Sequence, residues 1–118
     1  MNLLSETLSN LLSNGKSPAD VFWVGSKDGE YAISWEEFAK IANVDYHKGF
    51  GGQAVASDLV VVGQSWWLER GEYDGSEWWE FKSTPVKLND CSKFHTVCNN
   101  GMWASLEEMN RPGGKYHA

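Results

Sequence analysis

The feature that most constrains this chain is a pair of Trp-Trp doublets, Trp66-Trp67 and Trp78-Trp79, set on either side of Asp74-Gly75. Asp-Gly is the dipeptide that a two-residue type I′ hairpin turn favours, because both central positions take φ > 0. Built on that turn, Tyr73 pairs with Ser76 and the register runs back residue by residue. It sets Glu72 opposite Glu77, Gly71 opposite Trp78, Arg70 opposite Trp79, Glu69 opposite Glu80 and Leu68 opposite Phe81. Successive residues on a strand point to opposite faces, so both faces of the hairpin hold Trp. Like charges directly opposite one another destabilise a sheet. Two Glu–Glu pairs therefore read as a hairpin not tuned for stability alone, and point to a surface that meets something.

A single-layer sheet has one core side. Leu68 opposite Phe81 marks it, with Arg70 lying across Trp79 as a cation–π pair and with Glu72 and Glu77 on the same face. The other face then presents Trp67, Tyr73 and Trp78 around Glu69 and Glu80, and Gly71 leaves room for the Trp78 indole to lie flat. The candidate binding residues are Trp67, Glu69, Arg70, Tyr73, Asp74, Glu77, Trp78 and Glu80, because Trp, Tyr and Arg dominate binding hot spots. The alternative is that helices cover both faces, or that the sheet curls and takes every Trp into the core.

The rest of the chain supplies a small α+β domain. Leu3, Leu4, Leu8, Leu11 and Leu12 fall at helical spacing over 2–13 and stop at Asn14-Gly15. Val21–Gly25 reads as a strand, Lys27–Glu30 as a turn and Tyr31–Ile33 as the returning strand. Ser34-Trp35-Glu36-Glu37 is a capping box, opening a helix that carries Trp35, Phe38, Ala39, Ile41 and Ala42 mostly on one face and ends near Asn43. A glycine-rich loop, Asp45 to Gln53, leads to a third strand over Asp58 to Gly63, and the hairpin provides the fourth and fifth. The expected class is a small antiparallel sheet with helices packed mainly on one face. Residues 1–118 read as one domain, in which 88–118 has the weakest pattern and could be an appended segment. Ser105–Met109 is a short helix candidate there, stopped by Arg111-Pro112-Gly113-Gly114.

The charge distribution argues against direct nucleic-acid binding. The net charge is −6, and from Asp58 to Glu80 six acids face the single base Arg70, the reverse of the basic face that phosphate recognition needs. The longest apolar run, Leu59 to Val62, is far too short to cross a bilayer, and Met1 to Leu12 lacks the pattern of a secretory signal. These features lead to the expectation of a soluble cytosolic protein with free thiols at Cys91 and Cys98.

Three further patterns could carry chemistry. Cys91, His95 and Cys98 could ligate zinc with a fourth ligand such as His47 or His117, but the spacing is not that of the usual close Cys pair. No metal and no cofactor are expected. Gly49-Phe50-Gly51-Gly52 beside His47 and Lys48 could cradle a phosphate, although here the order is helix, loop, strand, whereas phosphate loops run from strand to helix. The carboxylates of Glu69, Glu72, Glu77 and Glu80 offer acid–base pairs, yet no nucleophile–base motif and no deep cleft is implied. The expectation is therefore not an enzyme.

The stretches Gly49-Phe50-Gly51-Gly52-Gln53, Asp58 to Gly63 and Trp67 to Trp79 resemble a group of small proteins encoded by tailed phages and prophages, and Val21-Phe22-Trp23 and Ile33 to Phe38 fit the same group. The resemblance covers roughly residues 15–85. The group has no settled activity, so no site residue is carried over. It implies a phage accessory protein acting in the host cytoplasm. The resulting expectation is an inhibitor of a host bacterial protein with a basic surface, such as a CRISPR or restriction effector. The alternatives are a nucleotide-signal sponge using Arg70, Lys48 and the glycine loop, or a self-associating phage structural protein.

Overall fold

The computed structural model of the chain describes residues 1–47, 52–98 and 103–111, in two compact units, Met1–Pro85 and Val86–Ala118. The first contains helix α1 (Leu3–Ser13), strands β1 (Val21–Ser26) and β2 (Ala32–Ile33), helix α2 (Trp35–Ala42) and strands β3 (Leu59–Gly63), β4 (Trp66–Tyr73) and β5 (Ser76–Ser83). The strands form one antiparallel sheet in the order β2-β1-β3-β4-β5. This is the α+β architecture expected, with both helices contributing to a core on one side of the sheet.

Local signals set the element ends. Asn2 caps α1 by accepting from the Ser5 amide at 3.0 Å. The Ser34 hydroxyl accepts from the Glu37 amide while the Glu37 carboxylate returns to the Ser34 amide, both at 3.1 Å. That bond to the Ser34 amide, with a second to its hydroxyl, holds the Glu37 carboxyl below its ordinary range. At the hairpin tip Asp74 and Gly75 both have positive φ, 52° and 82°, as the type I′ turn requires.

The hairpin register is the one expected from that turn, from Tyr73↔Ser76 through Leu68↔Phe81 to Trp66↔Ser83. Val24, Val61, Leu68 and Phe81 align across four strands on the inner face. Against that row pack Leu3 and Leu11 of α1, Phe38 and Ala42 of α2, and Trp66 and Trp79. Leu68, Val24 and Val61 are sealed from solvent, each contributing about 1.5–3 kcal/mol of transfer free energy.

Both helices depart in detail from their apolar stripes. In α1 the buried residues are Leu3, Glu6, Thr7 and Leu11, while Leu8 and Leu12 are exposed. The helix is rotated because Thr7 and Glu6 meet polar groups of the sheet: Thr7 accepts from the Trp79 indole at 3.0 Å, and Glu6 faces Arg70. In α2, Phe38 and Ala42 are buried and Ile41 is turned outward.

The second unit, taken by itself, is mostly irregular. Its described residues include one helix, α3 (Leu106–Asn110), capped by a Ser105–Glu108 box. The Asn110 side chain braces the segment before it, accepting from the His95 and Thr96 amides and donating to the Thr96 carbonyl. None of its described residues is buried.

Candidate functional site

Alternation along β1, β3, β4 and β5 places a second set of residues on the outer face of the sheet. Trp23, Val62, Trp67 and Lys82 align in one row, and Gly25, Val60, Glu69 and Glu80 in the next. Trp78, opposite Gly71, extends the face toward the hairpin tip. The three indoles of Trp23, Trp67 and Trp78 and the side chain of Val62 are half-buried, while Tyr73 and Asp74 at the tip are exposed.

Each outer indole of the hairpin is fixed by a carboxylate two residues along its own strand. Trp67 Nε1 donates to Glu69 at 2.6 Å, and Trp78 Nε1 donates to Glu80 at 3.1 Å. Residues i and i+2 share a face, so the polar edge of each ring is satisfied within the sheet and its π-face is left for contact. A β-carbon on Gly71 would come within 2.6 Å of the Trp78 ring nitrogen; only glycine lets that ring lie so close to the backbone. Lysines balance the acids: Lys27 Nζ is 3.4 Å from Glu69, and Lys82 Nζ is 3.8 Å from Glu80. The bond from Trp67, and then the charge of Lys27, outweigh burial and hold the Glu69 carboxyl below its ordinary range.

Two of the expected binding residues lie elsewhere. Arg70 and Glu77 are on the inner face and buried, Glu77 completely. They are withdrawn from any direct contact with a partner. Arg70 Nη2 donates to Glu77 at 2.8 Å and to the Tyr46 hydroxyl at 3.1 Å, and Nη1 lies 3.5 Å from Glu6. The guanidinium stacks over Trp79 at 4.7 Å, the cation–π contact expected. Tyr46 donates to Glu6 at 2.6 Å. Glu77 also accepts from the Ala54 and Val55 amides at 2.7 and 3.1 Å.

Burial pushes the Glu77 carboxyl up, but the Ala54 amide, the Arg70 guanidinium and the Val55 amide outweigh it and hold it below its ordinary range. Burial and the bond to Glu6 push the Tyr46 phenol up to about 12. Burial opposes the charge of Arg70, yet its bonds to Tyr46 and Glu77 and the nearby Glu6 leave its pKa raised.

The Glu–Glu pairs consequently have a different meaning from the one the register alone implies. Glu72 does stand opposite Glu77 and Glu69 opposite Glu80, but each carboxylate has its own donors, and Glu77 is a structural anchor. The sheet reading did not reach Trp23 and Val62, which complete the outer face. Their signal was the alternation in β1 and β3, which becomes interpretable once those strands are known to pair.

Lys48 to Gly51 lie outside the described residues, and Arg70 is committed to its buried carboxylates, so the phosphate site built on both has no available cation at Arg70. Cys91 and Cys98 are exposed free thiols, and no cluster of three His, Cys, Asp or Glu able to hold a metal occurs among the described residues. No helix among the described residues is long and apolar enough to cross a membrane. No protein-family model, curated protein or solved structure matches the chain.

Proposed function

We propose that this chain is a non-enzymatic binding protein whose outer sheet face docks on, and inhibits, a protein with a basic surface. The observation that carries this reading is one continuous face holding Trp23, Trp67, Trp78 and Val62, with the Glu69 and Glu80 carboxylates set between the rings. Aromatic rings held rigidly lose little entropy on docking and supply desolvated anchors. The acidic groups around them, and a net charge of −6, favour encounter with a cationic partner. The resemblance to small phage proteins suggests the setting, a bacterial host in which a nucleic-acid-handling defence effector would be such a target.

Affinity capture from bacterial lysate tests the proposal when the wild type is run beside Trp78→Ala and Trp67→Ala. The expected result is a basic protein retained at low ionic strength and released by salt, with retention lost in both variants while their circular dichroism is unchanged. Retention of that protein by both variants, or in 1 M salt, overturns it.

A further inference from the structure

We propose that a cavity on the α2 side of the first unit binds a small molecule with an apolar body and a cationic head. The cavity has a volume of about 660 Å³, inside the range of about 300–1,000 Å³ typical of small-ligand sites. Its floor is core: Val24, Phe38, Ala42 and Val55 line it and are buried. Its rim is apolar as well. Tyr31, Ile41 and Val44 line the same cavity and are 76%, 69% and 51% exposed, a concentration of large apolar side chains in water that a bound ligand would cover.

The charge of the ligand follows from the polar groups present. Asp45 and Asp58 line the cavity and are exposed, which puts two acidic residues at its boundary with solvent. No Lys, Arg or His is among its described lining residues. An anionic ligand would bring a further negative charge to this opening, whereas an ammonium would find attraction there. The Tyr46 hydroxyl is already held between Glu6 and Arg70, and Ser26 donates to Asp28 at 2.6 Å. The walls therefore offer mostly shape and apolar contact, and the two aspartates supply the discrimination.

The test uses three probes of equal chain length, octylamine, octanol and octanoate, titrated into the full chain below their aggregation limits and followed by protein NMR shifts and calorimetry. Octylammonium is expected to bind at least tenfold more tightly than octanoate, with octanol between them. Ala56→Phe fills the cavity from an exposed alanine, so it leaves the core intact. It should weaken octylammonium at least tenfold at an unchanged unfolding midpoint. Asp45→Asn with Asp58→Asn should lower octylammonium to the affinity of octanol. Octanoate binding as well as octylammonium, undiminished binding by Ala56→Phe, or no binding by any probe overturns the proposal. The outer-face variants Trp67→Ala and Trp78→Ala should bind octylammonium like the wild type, so this site and the protein-binding face stand or fall separately.

Discussion

Trp78 and Trp79 are neighbours in the chain, yet Trp79 is sealed against α1 with its indole donating to Thr7, while Trp78 lies half-exposed with its indole donating to Glu80. Glu77 and Glu80 show the same contrast. Glu77 is enclosed by a guanidinium and two backbone amides, and Glu80 shares its strand face with water and Lys82. The residue types are the same, so chemistry alone does not separate an anchor from a contact residue. What separates them is whether a second element crosses the face. α1 brings Thr7 and Glu6 to the inner one, and the buried apolar residues of α1 and α2 join the inner cluster.

Breaking the inner side should have the largest effect. Arg70→Met leaves Glu77 and Glu6 buried without their cation, and should cost about 3–5 kcal/mol of unfolding free energy, read from urea denaturation. The acid limb of stability sharpens the same contrast. The folded Glu77 carboxyl lies below its unfolded value, so its contribution is present above about pH 4.3 and is lost as pH falls through the folded value. Glu77→Gln should be less stable at neutral pH and show a flatter decline of melting temperature below pH 4.3.

Tyr46 works in the opposite direction. Its phenol is raised to about 12, so its contribution holds below about pH 10 and is lost as pH rises toward 12. Its absorbance change in an alkaline titration should fall near pH 12, and Tyr46→Phe should remove that step. The smallest effect belongs to the outer face. Glu69→Gln and Glu80→Gln keep an acceptor for their indoles and should change stability by no more than about 1 kcal/mol, as surface ion pairs do. They should nevertheless slow association with a basic partner, measured as a reduced on-rate at low salt.

How much of this could be read in the residues follows the range of the interactions. The hairpin was legible because Asp74-Gly75 sets its register locally, and that register alone assigns Trp67, Trp78, Glu69 and Glu80 to one face. The Ser34–Glu37 cap was legible for the same reason. The burial of Glu6 was not, because nothing within α1 distinguishes it from a solvated acid; its partners Arg70 and Tyr46 lie far along the chain. The Leu stripe misled at Leu8 and Leu12, where a polar network outweighed apolar periodicity. The face was incomplete without Trp23, since β1 reaches β3 only after the chain has passed through β2 and α2.

That same connectivity sets an order of assembly. The β4–β5 hairpin closes over a two-residue turn, whereas β1–β3 pairing must wait for the intervening segment to fold back, at a higher loop-closure cost. In that order, Arg70 and Glu77 would meet while still hydrated and would lose water when α1 and Tyr46 arrive. An ion pair desolvated that late is expected to form beyond the folding barrier. Its removal should accelerate unfolding and leave the folding rate nearly untouched, making Arg70 a determinant of how long the native state lasts. The two limbs of a chevron plot for Arg70→Met would show it.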